Sequence, residues 1–323
     1  MMNDSTEIHL RLAKLRSRFV KNDRFDRLWQ EFDDHLNRRR AALTLGLEEE
    51  VRGIAVVGAS GSGKSTLVKH VLKTHPGIVQ HQAGDNKVEI VRILVPSPAT
   101  LKGVGSTILR TLGFDPMRSK PSGAIWDQVR CLFQERQTLF LHLDEAQHLF
   151  TSKNSNVQMD VVNTLKTFLN TNDWPVGLIL SGTPDMMVML NSDEQLQRRI
   201  DIVNLEAVSW NSYATETEVV FRTYAEKAGL EICAKLDLNE FLPRLIHSGS
   251  NEFGLTIEMI LRGIELALLS GSRTLGAAHF IEAFYRKSGC MLGLNPFAAS
   301  DYLAIDARAV LGSMQLSRMG RNQ

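Results

Sequence analysis

Cysteine is scarce in this chain. Cys131, Cys233 and Cys290 are the three among 323 residues, and they stand far apart. Such spacing excludes a disulfide framework and a cysteine metal site, and it suits reduced cytosolic thiols. Net charge is nearly absent too: 37 Lys and Arg face 36 Asp and Glu, a formal charge of +1. Composition therefore offers no broad basic surface, and any nucleic-acid surface has to be a local patch. No apolar run approaches the ~18 residues of a membrane span. Met1 to Leu10 is polar and carries no signal-peptide core, so the expected compartment is the cytoplasm, with no membrane partner. Internal repeats and low-complexity tracts are missing as well. What remains, 43% hydrophobic and 23% charged residues, describes a globular chain of two or three domains with sizeable cores.

The most informative stretch is residues 53 to 66, GIAVVGASGSGKST. Ile54 to Val57 is an apolar run of buried-strand length. Gly58, Ala59, Ser60, Gly61, Ser62, Gly63, Lys64 and Ser65 then fit the phosphate-binding loop, G-x-x-x-x-G-K-[ST]. Glycines allow backbone angles at which successive N–H groups converge on a phosphate. A helix opening near Lys64 and running through Ser65 and Thr66 adds the positive end of its dipole. Lys64 is expected at the β- and γ-phosphates, and Ser65 at Mg²⁺. ATP and Mg²⁺ are therefore the expected cofactors.

Read in order, residues 6 to 47 are helices. Phe25, Leu28, Trp29, Phe32 and Leu36 make their clearest stripe. Arg38, Arg39 and Arg40 read either as a phosphate contact or as a solvated helix end. Strands at 53–58, 88–95, 138–143, 176–180 and 201–205 alternate with helices at 64–74, 100–112, 124–135 and 156–170. This pattern predicts a parallel five-stranded sheet covered on both faces, a three-layer α/β/α arrangement. After Glu206 the strands are expected to stop, and helices fill 211–228, 235–247, 252–270 and 276–287. The expected divisions are an N-terminal helical segment 1–47, a nucleotide-binding domain 48–207, a helical lid 208–288 and a tail 289–323.

Asp144 and Glu145 close the strand at 138–143. Ligands of open α/β sheets bind outside the carboxyl ends of the strands. Asp144 is thus expected to hold Mg²⁺, and Glu145 to act as general base on the attacking water. Ser181 and Thr183, placed just past the next strand, are expected to supply a hydroxyl that orients that water, the alternative being a local turn before Pro184. Arg198 and Arg199 are candidate arginine fingers acting on a neighbouring subunit's nucleotide, with Arg199 preferred. His142, inside an apolar strand, reads as a satisfied core histidine. His70, His75 and His81 lack metal-ligand spacing and read as surface residues.

Taken together, Gly58 to Thr66, the run LHLDEAQHL at 141–149, Ser181 to Pro184 and Gln195 to Ile200 resemble the AAA+ ATPases. More narrowly they resemble the TniB and TnsC transposition ATPases, over roughly residues 15 to 290. The resemblance implies an AAA+ fold with a C-terminal all-helical lid and N-terminal helices. It also implies a Mg²⁺-dependent ATPase that forms a homo-oligomeric ring or filament on duplex DNA. Such an assembly marks target DNA, recruits or activates a transposase, answers to a target-selection protein and disassembles on hydrolysis. Thr100, Lys102, Arg118, Lys120 and Lys153 would face the DNA channel, making phosphate contacts indifferent to sequence. The family's lid arginine has no counterpart in Glu252 to Thr256; Arg262 comes later in that helix. Two alternatives stand beside this reading: a replication-type AAA+ initiator or loader, and a signalling NTPase module gating a protein partner.

Overall fold

The structure is a computed structural model, and it describes residues 4–47, 50–80, 86–116, 119–150, 155–170 and 174–312. Within it the chain forms two compact units. One comprises the described parts of Asp23–Ser60 and Lys64–Leu205; the other comprises those of Met1–Asn22, Gly61–Gly63 and Glu206–Gln323.

The first unit is built on five parallel strands, β1 (Gly53–Gly58), β2 (Ile90–Leu94), β3 (Phe140–Asp144), β4 (Gly177–Gly182) and β5 (Ile200–Leu205), in the order β2-β3-β4-β1-β5. Its helices are α2 (Asp23–Leu45), α3 (Lys64–Thr74), α4 (Leu101–Thr111), α5 (Ser122–Glu135), α6 (Ser155–Asn170), α7 (Asp185–Leu190) and α8 (Glu194–Arg199). Every residue of β1 and β4 is buried, which is why both read as continuous apolar runs rather than alternating ones.

The two-residue period of a strand decides what each face of the sheet holds. On β3, Leu141 and Leu143 join Ile108 of α4, Ile125 of α5 and Phe168 of α6 in one buried core. Phe140 points the other way and meets Phe32 of α2, ring centroids 5.3 Å apart. His142 and Asp144 share that second face. The expected three-layer α/β/α architecture with a five-stranded parallel sheet is therefore what the chain forms.

The second unit is helical. It holds α1 (Asp4–Arg16), α9 (Trp210–Lys227), α10 (Leu238–Ser248), α11 (Phe253–Leu269) and α12 (Ala277–Ser288). Phe221, Phe241, Phe280 and Phe297 form a contiguous aromatic cluster, with centroid separations of 4.8 to 5.9 Å. Each buried phenylalanine contributes about 1.5–3 kcal/mol by leaving water. Helices α11 and α12 pack tightly because Gly263 has no side chain: a Cβ there would lie 2.5 Å from Phe280 Cε1. Strands do not stop at Glu206 as expected. Glu231–Ile232 (β6) and Thr274–Leu275 (β7) pair in parallel, a bridge too short to show as a periodic pattern.

Two further expectations change. His75 is not on the surface: it is buried against Trp29, ring centroids 4.5 Å apart, with Asp33 Oδ1 at 3.2 Å. The second strand is Ile90–Leu94 rather than 88–95. His81 lies outside the described residues. Among the described residues no helix is long and apolar enough to cross a membrane.

Candidate active site

Strand β1 ends at Gly58 and α3 begins at Lys64. Between them Gly61 and Gly63 have φ of +88° and +96°, a region that side chains disfavour by roughly 1–2 kcal/mol. Ala59 is half-buried, Ser60 exposed, and Ser62 buried with its hydroxyl unpartnered. The Lys64 ammonium is buried and donates to the carbonyls of Gly58 and Ala59, 2.9 Å each. Thr66 is exposed on the first turn of α3.

Ser65 follows on α3, and its hydroxyl donates to Asp144 Oδ1 at 2.9 Å. The same oxygen accepts from the Ser181 hydroxyl at 2.6 Å and from the Glu145 N–H at 3.1 Å. Register explains the meeting: Asp144 on β3 lies opposite Ser181 on β4, and His142 lies opposite Arg92 on β2. Ser181 thus stands inside β4, fully buried, and not past its end as expected from sequence. Two hydroxyls and a carboxylate oxygen make an all-oxygen donor set of the kind Mg²⁺ takes, with Ser65 and Asp144 as the residues that fit it.

His142 is part of this network. The Arg92 Nε–H donates to His142 Nδ1 at 3.3 Å, so the ring proton sits on Nε2. From there it is donated to Ser181 Oγ at 2.9 Å. Burial pushes the His142 pKa down to about 3, against the opposing pull of Asp144 and with help from Arg92. The imidazole is therefore neutral, and one chain of hydrogen bonds runs from Arg92 through His142 and Ser181 to Asp144. Sequence reasoning left His142 as core; the signal available was its place two residues before Asp144, on the same strand face.

Glu145 has φ of +56°, which is uncommon for a residue with a side chain and turns it out of the strand direction. Gln147 donates from its amide nitrogen to Glu145 Oε2, and its Oε1 accepts from the Thr183 N–H at 3.1 Å. Gln147 thereby joins the exits of β3 and β4, a role unreadable from sequence. The Thr183 hydroxyl turns to Asp185 at 3.4 Å, the local turn rather than the sheet edge.

Arg199 donates to both Glu50 and Asn170. Arg198 is 80% exposed and lies 3.6 Å from Glu194. Thr100 caps α4, its hydroxyl accepting from the Gly103 N–H at 3.0 Å. Lys102 is exposed on the first turn of α4, and Lys120 donates to Gln128 at 3.0 Å. Arg118 and Lys153 lie outside the described residues. In the helical unit, Arg262 pairs with Glu258 on its own helix at 2.8 Å.

Solved structures share this architecture. Aeropyrum pernix ORC2 in ADPNP–ADP complexes is 16% identical at a TM-score of 0.55, covering 81% of this chain and 68% of that one. Pyrobaculum aerophilum Cdc6p is 14% identical at 0.57, covering 83% and 68%. Drosophila ORC bound to DNA is 15% identical at 0.56, covering 91% and 69%. At such identities the likeness shows the fold alone. No curated protein matches the chain. The bacterial TniB protein family matches residues 16–211, more than half of the sequence, and the chain belongs to that family.

Proposed function

We propose that this protein is a Mg²⁺-dependent ATPase whose nucleotide state governs its assembly on duplex DNA. The observation that supports this best is the convergence of Ser65, Ser181 and the Glu145 N–H on one oxygen of Asp144. Bound Mg²⁺ would neutralise charge building up between the β- and γ-phosphate oxygens. The chain's own residues do the rest. Loop N–H groups from Gly58 to Ser65 and the Lys64 ammonium grip the phosphates. Asp144 is held in one orientation by its three donors. Glu145, steadied by Gln147, takes the proton of the attacking water. A guanidinium from a neighbouring copy, Arg198 or Arg199, meets charge on the transferring phosphate. Contacts by Lys102 and Lys120 to DNA phosphates would be indifferent to sequence.

Family membership supports a transposition regulator that marks target DNA and engages a transposase. The shared fold with ORC and Cdc6 proteins, one of them bound to DNA, favours a second reading, a replication-type initiator or loader. Both require ATP hydrolysis that rises steeply with protein concentration and duplex DNA. ATPase assays over a concentration series, with and without duplex, test the common claim; flat activity per chain in both series ends it. Competition among DNA sequences at fixed salt then separates the two. Equal binding to all duplexes, with stimulation of a transposase, supports the regulator, whereas strong preference for one sequence supports the initiator.

A further inference from the structure

The arginine triplet of α2 has no part in the site above, and its members go three ways. Arg40 is held by Glu89, 3.1 Å away. Arg39 is 5% exposed and lies over the Trp174 ring, 5.1 Å from its centroid. Its Nε and Nη2 are buried with no hydrogen-bond partner. Arg38 is exposed beside it. Both arginines line a recess of about 100 Å³, together with His35, Ala42, Glu50 and Arg52.

The acids nearby are already engaged. Asp201 accepts from His35 Nε2 at 3.0 Å and lies 3.8 Å from Arg52. Glu31 belongs to the same cluster with His35 and Asp201. Glu50 is paired with Arg199. Burial holds His35 below its ordinary pKa, so it adds no charge. Arg38 and Arg39 are thus left with no carboxylate partner among the described residues, and a buried guanidinium without one is costly.

We infer that this recess is an oxyanion site that takes a phosphate group. Nε and Nη2 are the guanidinium edge that grips two oxygens of one anion in parallel, and a turn of the Arg39 side chain away from the Trp174 ring would present that edge to the recess. A water needs only about 10–15 Å³ of such space, so the recess is large enough for a tetrahedral oxyanion. Arg38, exposed, also lines it. The phosphate comes either as the free ion or as the end of a nucleotide. The site does not depend on the ATPase reading, because it shares no residue with the phosphate loop.

Calorimetric titration of full-length Lys64→Ala, in which the phosphate loop is disabled, tests this with two ligands, inorganic phosphate and ADP. One equivalent of phosphate is expected to bind. Adding Arg39→Met should weaken it about tenfold or more, and adding Arg38→Gln several-fold. Arg110→Gln, an equal charge change on α4, should leave it within twofold. Should Arg39→Met not fold, Arg38→Gln carries the same comparison. Binding of ADP but not phosphate, with the same dependence on Arg38 and Arg39, assigns the site to a nucleotide phosphate. No binding of either below about 10 mM, or binding unchanged by both variants, overturns the inference. Neither of those results touches ATP hydrolysis by the parent chain.

Discussion

The Ser181 hydroxyl donates to Asp144 Oδ1 at 2.6 Å, and it does so from the middle of a strand. It is both the acceptor for His142 and the donor to the carboxylate. Ser181→Ala therefore removes a link and leaves the buried His142 N–H without an acceptor, which costs about 1–3 kcal/mol of stability. We expect kcat for ATP to fall roughly ten- to a hundredfold, with nucleotide affinity within about threefold. Single-turnover kinetics and nucleotide titration check this. Unchanged kcat would remove Ser181 from the reaction.

The same network makes stability depend on pH. Folding holds His142 near a pKa of about 3, against an ordinary value of 6.5. The unfolded chain therefore binds the proton first as pH falls. Stability from the neutral ring is complete above pH 6.5 and is lost progressively toward pH 3. His142→Gln should flatten the slope of unfolding free energy against pH between those limits by about 1 kcal/mol per unit. Urea unfolding at a series of pH values measures it; identical slopes in the two proteins would show that His142 titrates normally.

Glu145→Gln keeps the hydrogen-bonding shape and removes the base. ATP should still bind, while hydrolysis falls by about 10²–10⁴. Complexes with DNA should persist in excess ATP. Gln147→Ala, which frees the Glu145 carboxylate, should cut kcat less, about tenfold. Hydrolysis by Glu145→Gln at the parental rate would place the base elsewhere.

Arg199 is tied to Glu50 and Asn170, while Arg198 reaches into solvent. A finger that serves a neighbour need not be on the chain that binds the nucleotide. Lys64→Ala and Arg199→Ala should each be inactive, yet their mixture should recover a measurable fraction of activity. If Arg198→Ala complements Lys64→Ala and Arg199→Ala keeps parental activity, the exposed arginine is the finger. A mixture that never exceeds its components argues for a site complete within one chain.

Gly263→Ala sets a Cβ 2.5 Å from the Phe280 ring. Overpacking of this kind costs roughly 1–3 kcal/mol, more than the helix propensity of alanine returns. Chemical denaturation should show the loss. A more stable Gly263→Ala would mean that α11 and α12 shift apart freely.

The architecture was legible in the sequence because its elements leave local signatures. Apolar runs such as Ile54 to Val57, glycine spacing in the phosphate loop and helical stripes after Glu206 each report on neighbours within about ten residues. Those signals do not reach across strands. That Ser181 sits opposite Asp144, and Arg92 opposite His142, follows from register between segments 37 to 50 residues apart. The β6–β7 pair was invisible for a related reason: two residues make no period.

The sequence by itself determined which segments become strands and helices and where the phosphate-binding turn lies, since both depend on backbone angles and local burial. Only the tertiary structure decided that a strand serine and histidine brace Asp144, that Gln147 reaches both Glu145 and the β4 exit, and that the three consecutive arginines part company. Hydrogen bonds and ion pairs between distant residues depend on distances of a few ångströms, and those are set by packing alone.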